Sequence, residues 1–164
     1  MKIIDFEDIR KAAEGMDPVE WFNWVDYALR RKSDFQMPPK PRMSQNDGDY
    51  YNVMPAMYES EGLATVKMIG RHCLKESETA PRSVMMGDMM VYEAGTGVLK
   101  ALMDAEYITT LRTGVVAAHS AVLFARKDFT TVALLGLGNI MTVCFKTFMA
   151  KLRPSIRSQN FLPK

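Results

Sequence analysis

The stretch Thr130-Thr131-Val132-Ala133-Leu134-Leu135-Gly136-Leu137-Gly138-Asn139-Ile140-Met141 decides how this chain reads. Its first six residues are β-branched or apolar and carry no charge. That is the pattern of a strand buried on both faces of a parallel sheet. A G-x-G follows directly. The apolar positions Ile140, Val143, Cys144, Thr147 and Phe148 then recur at helical spacing and predict a helix over 139–152 that ends at Pro154. Strand, G-x-G-x-x and helix, in that order, open a dinucleotide-binding fold. Gly136 permits the tight turn, Gly138 lets the backbone approach a pyrophosphate, and the free amides of the helix start hold that anion. Met141 stands where the fingerprint has its third glycine. A strand-to-helix turn that merely uses glycines is the competing reading.

The same fingerprint expects a carboxylate about 20 residues further on for the ribose hydroxyls. That position falls near Ser158, and the sequence has no Asp or Glu after Asp128. Residues 151–164, KLRPSIRSQNFLPK, hold Lys151, Arg153, Arg157 and Lys164 and no acid. Such a change of composition, where a fold should continue, is what a frameshift or a premature stop produces. Residues 153–164 are therefore expected to be a basic tail read out of frame. A solvated chain end explains these charges better than binding to nucleic acid or membrane.

Upstream, Asp17 and Pro18 cap and open a helix over 17–31. Trp21, Trp24, Val25, Ala28 and Leu29 are its expected core face. The proline-rich run 37–42 ends that region. Strand-like runs follow at 49–54, 62–70 and 84–93, with a polar loop from Glu76 to Arg82 between the last two. A turn at 93–97 returns the chain along 98–103 as a hairpin. Asp104 then caps a long helix with Ile108, Leu111, Val115, Ala118 and Val122 on one face and Arg126 and Lys127 in its last turn.

Composition sets the outer bounds. With 164 residues, 48% of them hydrophobic, 24% charged and a net charge of +2, the chain excludes disordered, collagen-like and disulfide-scaffold classes. Its longest charge-free stretch, 129–145, is broken by Gly136, Gly138 and Asn139 and is too short for a membrane span. Acids within the first residues argue against a signal peptide. Cys73 and Cys144 are expected as reduced thiols in a cytoplasmic protein. Of the 14 methionines, Met85, Met86, Met89 and Met90 cluster without interleaved His or Cys. They read as soft packing, with no metal site. His72 and His119 read as structural or surface residues.

The order of these motifs carries a resemblance. Ala101-Leu102-Met103-Asp104-Ala105, Ile108-Thr109 and Leu111-Arg112-Thr113 precede a small-residue helix, a strand and Gly136-Leu137-Gly138-Asn139. Together they resemble the ornithine cyclodeaminase/mu-crystallin family. Pro41-Arg42, Met54-Pro55-Ala56, Val66-Lys67-Met68 and Thr96-Gly97 agree in order and spacing, so the resemblance covers about residues 2–150. It implies an NAD(P)-dependent homodimer acting on an amino acid or its imine. The reaction is ornithine to proline plus ammonia, or a related amino-acid dehydrogenase or ketimine reductase reaction.

The resemblance also implies roles. Arg42, Lys67 and Arg112 bind substrate, and Arg112, Thr113, Gly136, Gly138, Asn139 and Ile140 contact NAD or NADP. An α-carboxylate held by fixed cations presents its Cα–H for hydride transfer. The three cations are thus expected to converge in one cleft. Two positions depart from ornithine cyclodeaminases: Asn52 stands where an acid meets the substrate side-chain amine, and Val84, beside Ser83, where a threonine lies near the nicotinamide. The family's catalytic aspartate falls beyond the C-terminus.

The implied organisation has residues 1–128 as an α+β substrate-binding and dimerisation domain, a mostly antiparallel sheet with helices. Residues 129–152 begin a Rossmann-type NAD(P)-binding domain, with the tail at 153–164. The Trp21/Trp24 helix and the Met-rich strand at 84–91 are the expected dimer surfaces. The alternative from another class is a non-catalytic truncated fragment that acts as a dimerisation or binding module. By itself the chain is expected to lack cyclodeaminase and dehydrogenase activity and to bind NAD(P)H weakly.

Overall fold

The strand-like runs pair into one sheet in the computed structural model, which describes residues 1–45, 48–72 and 85–156. The elements in chain order are β1 (Lys2–Ile4), α1 (Phe6–Glu14), α2 (Pro18–Arg30), β2 (Phe35–Gln36), β3 (Arg42–Ser44), β4 (Tyr50–Tyr58), β5 (Leu63–Arg71), β6 (Met85–Glu93), β7 (Leu99–Asp104), α3 (Glu106–Phe124) and α4 (Asn139–Ile156). Single 3₁₀ turns lie at Lys32–Asp34 and Glu59–Glu61. Cys73, the loop at 76–82, Ser83, Val84 and the tail from Arg157 onward lie outside the described residues.

The chain divides into two compact units, Met1–Lys11 with Arg31–Ile108, and Ala12–Arg30 with Thr109–Lys164. The first unit holds the whole sheet, in the order β1-β7-β6-β5-β4-β2, with β3 also on β4. Every pairing is antiparallel except β1 on β7, so the expected α+β arrangement with a mostly antiparallel sheet is what forms. The long β4–β5–β6 ladder keeps register over nine residues per strand, and only the β6–β7 pair shifts, at Val91/Tyr92. The hairpin at 93–98 closes with Glu93 N–H donating to Val98 O at 2.9 Å. Asp104 caps α3 through its Oδ1, which accepts the Glu106 amide at 2.8 Å. Phe6 meets Tyr107 edge to face at 5.5 Å.

In the second unit Asp17 caps α2 as expected, its Oδ1 accepting the Val19 amide at 2.8 Å. The buried arc of α2 differs from the expected one. Trp21 and Phe22 are buried, whereas Trp24 is 61% exposed and Ala28 and Leu29 face solvent. The helix that α2 packs on is α4, while His119 on α3 lies against Phe22 with ring centres 4.9 Å apart and bonds Asp26 one turn later. Gly114 lets α4 approach α3: a Cβ there would lie 2.6 Å from the Ile140 carbonyl oxygen and 2.7 Å from Val143 Cβ.

Three further expectations are corrected. The run Thr130–Leu135 forms no strand, and among the described residues no strand pairs with it. A β-conformation is held by ladder hydrogen bonds, and here the run has no ladder to join. Its helix partner is present, but α4 runs to Ile156, past the expected stop at Pro154, and buries Thr147 and Phe148 while Ile140 is exposed. Arg126 and Lys127 lie beyond the last turn of α3, which ends at Phe124. Arg126 instead forks onto Asp128 at 2.8 and 3.1 Å in the turn that follows.

Candidate functional site

Ladder register fixes which side chains share a face of the sheet. Arg42 on β3 is opposite Asn52 on β4, Asn52 is opposite Ile69 on β5, and Lys67 is two residues along from Ile69. Side chains alternate along a strand, so Arg42, Asn52 and Lys67 lie on one face. Arg42 and Lys67 are about 12 Å apart at Cα by ladder spacing, which two long cationic side chains together can span. The Arg42 guanidinium rests 3.8 Å from the centre of the Tyr50 ring, a cation–π contact at the end of β4. Lys67 is half-buried in a cross-strand row between Met54 and Met89. Asn52 is 8% exposed and Ile69 2%. A planar Arg fork and a Lys point charge on one apolar face can grip a carboxylate.

The opposite face carries a separate feature. Tyr51, Met68, Met86 and Asp88 line a cleft of about 340 Å³ there, together with Asp49 and His72. His72 Nδ1 lies 2.7 Å from the Asp49 carboxylate. None of the residues that the sequence marks for substrate or cofactor lines this cleft. Sequence reasoning did not find the Asp49–His72 pair, and a separation of 23 residues left no local signal for it.

The second unit holds the other marked residues. Arg112 is exposed on α3, and Thr113 is half-buried there, with its hydroxyl donating to the Thr109 carbonyl at 2.6 Å. Gly136 adopts φ +74°, the left-handed turn that glycine permits, ahead of Gly138. A Cβ at either glycine would meet nothing within 4 Å, so this backbone is open to an approaching group. Helix α4 starts at Asn139, and the Thr142 amide and hydroxyl both donate to the Gly138 carbonyl, at 2.9 and 3.1 Å. The first amides of α4 have no partner within the helix, and no acid lies in its first turn. That combination suits a phosphate.

Electrostatics elsewhere in this unit is structural. His119 is buried and bonds Asp26 at 2.9 Å, while Arg30 takes the other Asp26 oxygen at 2.6 Å. Arg30 first, and His119 second, hold the Asp26 carboxyl down at about 2. Burial pushes the Cys144 thiol up, away from a nucleophilic thiolate. Among the described residues no group of three or more His, Cys, Asp or Glu is placed to hold a metal ion, and no helix is long and apolar enough to cross a membrane.

Comparison with known proteins returns the same elements. The pattern of the "Ornithine cyclodeaminase/mu-crystallin family" matches residues 7–156. An alanine dehydrogenase of Archaeoglobus fulgidus is 34% identical over 134 residues, which are 82% of this chain and 39% of that protein. An L-lysine cyclodeaminase of Streptomyces rapamycinicus is 30% identical over 111 residues, 67% of this chain and 32% of that one. Among solved structures, an archaeal alanine dehydrogenase dimer with bound NAD superposes with a TM-score of 0.77 at 27% identity, over 90% of this chain and 44% of that one. The chain thus spans less than half the length of the relatives it matches.

Proposed function

Because the chain belongs to the ornithine cyclodeaminase/mu-crystallin family, we propose that it supplies the substrate-binding part of an NAD(P)-dependent enzyme that deaminates an amino acid or reduces the matching imine. The observation that carries this reading is the shared sheet face of Arg42, exposed and resting on Tyr50, and Lys67, half-buried in a methionine row. On this reading the pair holds the α-carboxylate, and Arg112 is a further substrate-binding residue by the family resemblance. Residues 1–128 act as the substrate-binding and dimerisation part, and the chain works as a homodimer. Residues 129–152 begin the nucleotide-binding part.

The turn at 136–141 fits the diphosphate of a dinucleotide: open glycine backbone, free helix-start amides and no competing carboxylate. Gly136, Gly138, Asn139 and Ile140 would hold it, with Thr113 and Arg112 toward the nicotinamide. When bound, that group accepts or returns the hydride at the substrate's Cα. What this chain's residues do is orient the substrate by its carboxylate and neutralise its charge. For the ribose, the sequence offers no carboxylate after Asp128.

The test is binding. L-alanine or pyruvate should perturb the amide NMR signals of residues in β4 and β5, and NADH fluorescence should shift on adding the chain. Lys67→Ala, which removes one charged partner, should weaken amino- or oxo-acid binding by about 1.5–3 kcal/mol, and Arg112→Ala should do likewise. Unchanged affinity in both variants would show that these cations serve only the surface.

A further inference from the structure

The Arg42 guanidinium rests 3.8 Å from the centre of the Tyr50 ring, and ladder register shows where that puts it. Arg42 is opposite Asn52 on β4, and Tyr50 lies two residues back along that strand on the same face. Met54, which is opposite Lys67, lies two residues from Asn52 in the other direction. The guanidinium therefore leans away from Lys67. Strand side chains stand roughly upright on their sheet, so the rows set the spacing of the charges. The Tyr50 and Met54 rows are about 13 Å apart by strand rise. A carboxylate, with each oxygen about 2.8 Å from a nitrogen, does not bridge cations set at those two rows.

We propose that Tyr50 is a positioning residue that parks Arg42 off the carboxylate site, and that binding draws the guanidinium from the ring toward Lys67. The proposal rests on the reading of Arg42 and Lys67 as the carboxylate grip. A ring face attracts a guanidinium without taking any of its five N–H donors, so the fork stays open to a ligand. An acid in the same place would occupy the fork and neutralise its charge. The cross-strand neighbours are not acids: Ser44 and Arg71 flank Tyr50, and Asn52 is opposite Arg42. Strand β3 has three residues, all exposed, and pairs with β4, so its arginine has room to swing. The parked contact costs affinity. Apparent affinity scales with the fraction of molecules in the competent orientation, and an exposed cation–π contact lowers that fraction about fivefold.

The experiment titrates the full 164-residue chain with pyruvate, followed by NMR. Tyr50→Leu, which removes the ring, is expected to bind pyruvate about fivefold more tightly. Tyr50→Phe, which keeps the ring, should match the unmodified chain. In an Arg42→Ala background Tyr50→Leu should change nothing, whereas a ring that only supports the sheet would alter affinity in both backgrounds. Should Tyr50→Leu fail to fold, the unmodified chain decides. Ring currents should place the Arg42 side-chain signals upfield in the free chain, and saturating pyruvate should return them to ordinary arginine positions. Weaker or unchanged binding by a folded Tyr50→Leu overturns the proposal, as does an equal gain in the Arg42→Ala background. An upfield shift that is absent from the free chain, or that survives saturation, overturns it too. If pyruvate moves no signal of the unmodified chain, the carboxylate grip itself fails and the parking role falls with it.

Discussion

At the scale of single residues, the best-defined charge cluster lies apart from the proposed site. His119 looked like a structural or surface residue in sequence, and it is structural: buried, stacked on Phe22 and bonded to Asp26, whose other oxygen takes Arg30. The arrangement gives a definite pH dependence. The Asp26 carboxyl sits at about 2 in the folded chain against an ordinary 3.8, chiefly through Arg30 and next through His119. Unfolding releases those bonds, so the stability they contribute is fully present above the ordinary value and is lost as pH falls toward 2. Denaturant melts from pH 5 to pH 2 should therefore show a stability loss that Asp26→Asn removes. An identical acid limb in that variant would mean that other carboxylates carry the effect. At the proposed site, Arg42 was legible as a cation in a proline-rich run, but its rest on Tyr50 was not. Eight residues and a reversal of chain direction separate the two.

Elements were legible where a period runs long and its boundary is marked by a capping residue. Asp17 and Asp104 place the starts of α2 and α3 because their side chains accept the first free amides. The four long strands followed from β-branched and apolar runs bounded by turns. The failures share another cause. Helical spacing alone could not say which arc of α2 is buried, because the helix it packs on, α4, lies far along the chain. The run at 130–135 has strand composition and yet forms none, since a strand is a property of a pair. Packing of α3 on α4 supplies the prediction at this scale. Gly114 has no room for a Cβ, because the Ile140 carbonyl and Val143 Cβ would lie within 2.7 Å of it. Gly114→Ala should push the two helices apart and cost about 1–3 kcal/mol, read as a lower midpoint in urea. Unchanged stability would show that the α3–α4 contact is soft enough to yield.

At the scale of the whole molecule, the sheet leaves one face partly bare. Met43, Tyr51 and Met86 line up across β3, β4 and β6 through Gly70, with Met68 beside them, and all four are exposed. Contiguous apolar side chains of this kind mark a surface that meets another protein. With the proposed homodimer, light scattering should give a dimer mass that survives dilution, and Met68→Lys should reduce it to a monomer. A dilution-resistant monomer of the unchanged chain would refute the assignment. The expected dimer surfaces divide: Trp21 is buried, whereas Trp24 and Met86 are exposed. Sequence by itself determined the family, the elements with long periods, the glycine turn and the cations at 42, 67 and 112, because motif spacing and capping chemistry are local. Tertiary structure alone decided that Arg42 and Lys67 share a face with a buried Asn52 between them, and that the cleft with Asp49 and His72 opens on the other side. It also decided that Thr130–Leu135 pairs with nothing among the described residues. Each of those facts depends on ladder register, and register is set by which strands meet, which no single stretch of sequence encodes.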